Sequence, residues 1–439
     1  MLFNPQTLIS LLKSHCISLS TTISSASSTF LNHQQWRNIT KVRLKWVKNK
    51  TIDHIIDRET DLKAAMLLKD AIKRSPTSFI TARTVADWQK LLGLTVPVLR
   101  FLRRYPTLFH EFPHSRYPNL PCFKLTDFAV TFDQQEHLVY ENDELGIVER
   151  LCKLLMMTKS KGAPLQSIYP LKWDLGLPDN FEKLIVSKYP NHFRVLKGNN
   201  GLPYLSLVEW REEFAVSALE KSGEKRIELG NDYREFKKGQ TALAFAMSFP
   251  KGYGYQKKVK AWMEEFQKLP YVSPYEDSTR LDPTSELMEK RIVGLLHEFL
   301  SMTIHKKTKR NYLRSLREEL NLPHRFTRIF TRYPGIFYLS LKCKTTTVTL
   351  KEGYRKGRLL SPHPLVRIRD KFYHVMRTGL LHRGKGVNFL SPQDCLLDNA
   401  GDGNGEESED CENMEGEEHE MEEECWDEET SSLEEESDE

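Results

Sequence analysis

The sequence predicts an α+β fold of tandem helix-turn-helix plus β-hairpin units, winged-helix-like in outline. A helical insertion separates the second unit from the third, and the chain is expected to carry a disordered N-terminal leader and a disordered acidic C-terminal tail. Three observations carry this reading. A punctuation pattern occurs three times along the chain; the apolar residues in each copy follow first a helical and then a strand period; and charge is segregated along the chain.

Of 439 residues, 64 are Lys or Arg and 60 are Asp or Glu. Between Asp398 and Glu439 there are 22 acidic residues and no Lys or Arg. All the basic residues therefore lie before that segment, which leaves the rest of the chain with a surplus of 26 positive charges. Such a body suits a polyanionic partner, and such a tail suits a solvated appendage that competes with weakly bound polyanions. No apolar run approaches the ~18 residues of a membrane span, so no membrane insertion is expected. The 7 cysteines are scattered without a CxxC pair, which argues against a disulfide framework or a zinc ribbon.

The leader is residues 1–40. No acid precedes Asp53, and Ser and Thr crowd the first 32 positions around the apolar anchors Leu2, Phe3, Leu8, Ile9, Leu11 and Leu12. An acid-poor, Ser-rich, weakly amphipathic segment is what organelle import reads.

Each repeated unit begins with a tight stop: Leu91-Leu92-Gly93-Leu94, Asp174-Leu175-Gly176-Leu177 and Glu319-Leu320-Asn321-Leu322. Gly93, Gly176 and Asn321 tolerate the left-handed backbone that closes a helix. Pro178 and Pro323 suit the first turn of the next helix. That helix ends at a Tyr-Pro pair, in Tyr105-Pro106-Thr107-Leu108-Phe109, Tyr189-Pro190-Asn191-His192-Phe193 and Tyr333-Pro334-Gly335-Ile336-Phe337. The residue before proline is pushed out of the α region, so the helix stops there. Strands are expected next, over Phe193–Leu196 and Tyr204–Val208, and over Ile336–Leu341 and Thr346–Leu350. The units fall around 78–128, 163–210 and 300–352, with the insertion around 211–285. Val259, Trp262, Met263 and Phe266 give that insertion an amphipathic helix of its own.

The second helix of each unit is the candidate binding element. Val98, Phe101, Leu102 and Tyr105 form an apolar stripe, with Arg100, Arg103 and Arg104 opposite. Phe326, Ile329, Phe330 and Tyr333 repeat the stripe, with Arg325, Arg328 and Arg332 opposite. The middle copy presents Lys183 and Lys188, and Leu184 where the other two place an arginine. The stripes are core; the cationic faces are expected to contact phosphates.

Further basic clusters fit the same partner. Lys45 and Trp46 lie within the run Lys41–Lys50. His305, Lys306, Lys307, Lys309 and Arg310 are expected to open a helix continuing through Tyr312, Leu313 and Leu316. Tyr354, Arg355, Lys356 and Arg358 lie near the end of the body, as do His382, Arg383 and Lys385. Flexible cations track phosphates, and Trp46 and Tyr354, set among charges, are placed to stack on bases.

Three catalytic patterns fail on their context. His110-Glu111-Phe112-Pro113-His114 spells the HExxH string of zinc proteases, but Pro106, Pro113 and Pro118 forbid the continuous helix that the string requires. Gly379 to Lys385 imitates a phosphate-binding loop, yet Gly386 stands where a Ser or Thr must hold magnesium. Cys122, Cys152 and Cys343 sit in apolar surroundings typical of inert thiols. Neither enzymatic activity, nor a metal, nor a cofactor is expected.

The run Lys41–Asp70, the three LGL…YPxxF units and Leu269-Pro270-Tyr271-Val272-Ser273-Pro274-Tyr275-Glu276-Asp277 together resemble the plant organelle RNA recognition (PORR) domain family, over residues 41–390. The resemblance implies a land-plant protein imported into mitochondria or chloroplasts that binds organellar intron RNA, chiefly group II, and promotes its splicing beside other splicing factors. It implies no catalytic residues, and it favours the mitochondrion, with the chloroplast as alternative. The LGL…P spacing is also similar to the mitochondrial transcription termination factor family, whose all-helical pattern the expected hairpins do not share. A DNA- or RNA-binding, transcription-related factor is therefore the alternative, and a hydrolase a second one. The oligomeric state is not legible.

Overall fold

Asn49 opens the first helix of the fold, its side-chain oxygen accepting from the amide of Ile52. The computed structural model describes Leu44 and residues 46–198, 201–228, 243–249, 256–279, 281–342 and 346–382. The expected leader, the acidic tail, Lys45, Cys343 and the Arg383–Lys385 cluster lie outside the described residues.

Helix α1 (Lys50–Arg74) is ~37 Å long at 1.5 Å per residue. Its first half buries Ile52 and Ile56 beside Tyr338, and its second half buries Leu62, Ala64, Ala65, Leu68 and Ile72 in a different core. Strand β1 (Ile80–Thr81) follows, then short helices over Ala82–Val85 and Gln89–Leu92, closed by Gly93 at φ 69°. Helix α2 (Val98–Arg104) leads into β2 (Phe109–Pro113) and β3 (Pro121–Leu125). The three strands form an antiparallel sheet in the order β1-β3-β2.

The same sequence of elements returns twice. After α3 (Asp127–Asn142), α4 (Glu144–Met156) leads to β4 (Gly162–Pro164), short helices ending at Gly176 with φ 66°, a π-helical turn over Glu182–Val186, and β5 (Phe193–Lys197) with β6 (Pro203–Leu207). That sheet has the order β4-β6-β5. A helix over Ala218–Glu228 and α5 (Lys257–Lys268) come next. Then α6 (Glu286–Met302) leads to β7 (Lys307–Lys309), a helix over Arg310–Ser315, Asn321 at φ 54°, α7 (Arg328–Arg332), and β8 (Phe337–Ser340) with β9 (Thr347–Leu350). Its order is β7-β9-β8. A hairpin, β10 (Tyr354–Arg355) with β11 (Arg358–Leu359), precedes α8 (Pro364–His382).

The fold is thus mixed helix and sheet, and it corrects three details of the sequence reading. Each sheet has a first strand of only two or three residues, too short for periodicity to reveal. His305–Lys309 does not open a helix: Lys307–Lys309 is strand β7, and the helix starts at Arg310. The second helix of the middle repeat is one π-helical turn.

The three Tyr-Pro corners share one geometry. Phe109, Phe193 and Phe337 each donate their amide to the carbonyl of the tyrosine four residues earlier, at 3.1, 3.1 and 3.0 Å. Around α5, the expected residues Val259, Trp262, Met263 and Phe266 are buried. The Leu269–Asp277 segment straps α6. Lys290 donates to the carbonyls of Gln267 and Leu269 at 3.0 and 2.6 Å, and Tyr275 donates to Glu298 at 2.7 Å. Gly294 lies beneath that strap, where an added Cβ would come within 3.1 Å of the Tyr271 ring. Among the described residues no helix is long and apolar enough to cross a membrane.

Candidate nucleic-acid interface

Helix α2 buries Val98, Phe101 and Leu102, and that burial turns Arg100, Arg103 and Arg104 to solvent. A shallow depression lined by Val96, Pro97, Leu99 and these three arginines lies on the exposed side. In the third repeat Phe326, Ile329 and Phe330 are buried, Arg325 and Arg328 are exposed, and Arg332 is half-buried.

These cations are not equivalent. Arg103 grips Glu111 with Nε at 2.9 Å and Nη2 at 2.7 Å, and that bond holds the Glu111 carboxyl below its usual range. Arg332 lies 2.7 Å from Glu289, and Arg104 reaches Asp61 only at 4.0 Å. Lys188 pairs with Glu144 at 2.6 Å. No ion pair with a described residue is recorded for Arg100, Arg325 or Arg328, so their charge is open to a ligand.

The other clusters divide in the same way. Lys307 is buried, with its ammonium 2.5 Å from Glu59, so it serves an internal ion pair and not a phosphate. Lys306 donates to the Ser301 carbonyl, and burial pushes its ammonium down from the ordinary value. Lys309 hovers 5.9 Å from the Tyr312 ring, and Arg310, half-buried, starts the following helix. Trp46 is a packing residue: its ring stacks on Tyr338 at 6.2 Å and its indole donates to the Leu339 carbonyl at 2.8 Å. Tyr354 likewise spends its hydroxyl on the His305 carbonyl. Arg355 and Arg358 face each other across the β10–β11 hairpin, with Lys356 (φ 48°) and Gly357 (φ 76°) as its turn. Arg355, Lys356 and Arg358 are all exposed, so like charges crowd one tip.

Sequence reasoning missed the exposed cations on the hairpins, Arg116, Lys124, Arg194 and Lys197. Alternation along a strand puts them one at a time into the sequence, so they form no cluster that a linear scan detects.

The catalytic patterns find other uses. His110-Glu111-Phe112-Pro113 lies on β2, and extended backbone rising ~3.3 Å per residue sets His110 and His114 ~13 Å apart, too far to share a metal as one helical turn would allow. Cys122 and Cys152 are buried; burial raises both thiols, that of Cys152 to about 12. Among the described residues no group of His, Cys, Asp and Glu is arranged to hold a metal.

Comparison with known proteins identifies the family. The family model of the plant organelle RNA recognition domain matches residues 47–381. The chain is 34% identical over 361 residues to Protein WHAT'S THIS FACTOR 9, mitochondrial, of Arabidopsis thaliana, covering 81% of this chain and 90% of that protein. It is 31% identical over 336 residues to the chloroplastic WHAT'S THIS FACTOR 1 homolog of Oryza sativa subsp. japonica, covering 76% of this chain and 65% of that one. It is also 28% identical over 342 residues to Protein ROOT PRIMORDIUM DEFECTIVE 1 of Arabidopsis thaliana, covering 75% and 82%. No solved structure matches significantly. The chain belongs to the plant organelle RNA recognition domain family.

Proposed function

We propose that this protein is a non-enzymatic RNA-binding factor of a plant organelle that binds group II intron RNA and promotes its splicing, beside other splicing factors. The observation that carries the reading is the pair of cationic helix faces on α2 and α7. Both occupy the same place in their repeats, between a left-handed cap and a Tyr-Pro corner, and both oppose a buried stripe. Long helix, strand, short helices, second helix and hairpin, with a first-third-second strand order, is the outline of a winged-helix-like unit. In this reading the units span about 78–128, 163–210 and 300–352 of an RNA-binding region 41–390, with an insertion around 211–285, a transit peptide over 1–40 and an acidic tail over 398–439.

A group II intron supplies its own chemistry, so its protein partner only biases RNA folding. Cations neutralise phosphates where strands crowd, and exposed rings hold single strands open. The mitochondrion is the proposed compartment, supported by the name of one Arabidopsis relative. Two measurements test the reading. Absorbance at 260 nm carried through purification should vanish with ribonuclease and persist with deoxyribonuclease. Immunoprecipitation from isolated mitochondria, followed by sequencing of bound RNA, should enrich intron sequence. Loss of the carried nucleic acid to deoxyribonuclease alone would transfer the protein to the transcription-related reading.

A further inference from the structure

The outward face of the first sheet carries a row of rings. Register aligns His110 with Lys124, and Phe112 with Cys122 and Thr81. Side chains alternate between faces along a strand, so these residues share one side. Phe79, just before β1, meets Phe112 edge-on with centroids 5.5 Å apart, and its ring lies 6.3 Å from that of His114. His114 in turn lies 5.5 Å from Tyr117, whose side chain is 64% exposed. None of the residues aligned on this face is acidic, and Lys124 and Arg116 are exposed beside it. The neighbouring Glu111 points to the opposite face and is held by Arg103.

Tyr117 is held in place by its loop. His114 takes an amide bond from Tyr117 at 3.2 Å, Tyr117 takes one from Leu120 at 2.9 Å, and His114 donates to Leu120 at 3.0 Å. The Arg116 amide donates to His114 Nδ1 at 3.1 Å.

The rings on the corresponding faces of the other two sheets are engaged by protein, although Arg194 and Leu196 beside the second sheet's ring are exposed. On the third, Trp46 stacks on Tyr338, while Tyr338 and Ser340 both donate to Asp53 of α1. On the second, the Tyr204 hydroxyl bonds to Ser160 and Glu319. Only on the first do the rings make no recorded bond to an acid and no stack on an indole among the described residues.

We propose that this first-sheet face is a base-stacking platform for unpaired RNA, with Tyr117 and His114 as its outer rings and Lys124 and Arg116 as its phosphate contacts. The proposal rests on the RNA-binding reading and narrows it to single strands. Bases that are splayed out offer π-faces to such rings, whereas a duplex keeps its bases stacked on each other. Cations without competing carboxylates complement the strand's phosphates.

The test uses the full chain, a fluorescein-labelled unstructured mixed-sequence RNA strand, and a perfectly paired RNA duplex of the same length. Tyr117→Ala should weaken binding of the strand by about five-fold to a hundred-fold, the range of one lost base stack, and leave duplex binding unchanged. Tyr117→Phe, which keeps the ring, should bind the strand as the parent does. The platform is overturned if Tyr117→Ala binds the strand like the parent, if strand and duplex weaken equally, or if Tyr117→Phe fails as alanine does. Any of those results leaves the RNA-binding reading standing. Failure of the parent protein to bind either RNA would remove that reading, and this one with it.

Discussion

At each Tyr-Pro corner a tyrosine joins two elements. Its carbonyl accepts the amide of the phenylalanine that begins the hairpin, and its hydroxyl reaches an acid on the long helix before the repeat. Tyr105 donates to Asp61 at 2.8 Å and Tyr333 to Glu289 at 2.9 Å; Tyr189 bonds Glu144. Burial, reinforced by the neighbouring carboxylate, pushes the Tyr105 and Tyr333 hydroxyls up, so both stay protonated donors. The phenylalanine then fills the core behind the corner, as Phe193 does at 3% exposure. Phe193→Ala should therefore cost ~3–5 kcal/mol, as removal of a buried ring that leaves a cavity does. Denaturant titration would read this as a lowered midpoint with an unchanged slope. A variant with the parent's midpoint but no RNA binding would make the ring a ligand contact instead of a wedge.

At the scale of the element, the cationic helices divide by partner. Arg103 and Arg332 already satisfy carboxylates, whereas Arg100, Arg325 and Arg328 have no recorded ion pair among the described residues. Replacing those three with Gln should flatten the dependence of log Kd on log salt for single-stranded RNA by about 2, at ~0.7 per lost phosphate contact. Replacing Arg103 and Arg332 should change the slope less, because each exchanges one anion for another. Equal slopes for the triple variant and the parent would show that these faces do not touch RNA. The same division shows what the sequence could and could not disclose. Stripe and arginine face were legible at α2 because helical period sorts them, and only in part at α7, where Arg325 and Phe326 lie in the turn before the helix; Gly93, Gly176 and Tyr-Pro mark the ends. The fates of Lys307 and Trp46 were not. Each is decided by a residue remote in the chain, Glu59 for the one and Tyr338 for the other, and a linear scan of charge sees neither. The strands β1, β4 and β7 are defined by pairing to a hairpin formed later in the chain, again a long-range cause.

At the scale of the molecule, four remote segments meet at one buried polar junction. Glu59 of α1 accepts from the Trp173 indole at 2.7 Å and pairs with Lys307 of β7 at 2.5 Å. Arg369 of α8 lies over the Trp173 ring at 3.4 Å and donates to its carbonyl at 3.2 Å. Arg369 Nη1 also lies 3.2 Å from His305 Nε2, and the His305 ring stacks on Trp173. A ring nitrogen facing a guanidinium must be the acceptor, so His305 is neutral here. Burial pushes its pKa down to about 3; Glu59 opposes that, and Lys307 and Arg369 add to it. Burial would raise the Glu59 carboxyl, but the Lys307 ammonium and the Lys307 and Trp173 hydrogen bonds hold it well below the carboxylate range. Both groups work in the same direction on acidification. The unfolded chain binds the His305 proton at its ordinary value of 6.5, the folded chain only near 3. Stability from this group is therefore complete above pH 6.5 and declines as pH falls towards 3, by up to ~1.4 kcal/mol per pH unit. Glu59 adds its own loss below its ordinary value of 4.5. By pH 4.5 the histidine alone should have removed about 2–3 kcal/mol. His305→Gln keeps an acceptor for Arg369 and abolishes the titration, so between pH 6.5 and 4.5 its stability should decline less steeply than the parent's in parallel denaturant titrations. Parallel decline of the two proteins across that interval would place the acid sensitivity elsewhere. A shallower limb in the variant would assign it to the junction that joins α1, α8, strand β7 and the short helix Lys172–Leu175.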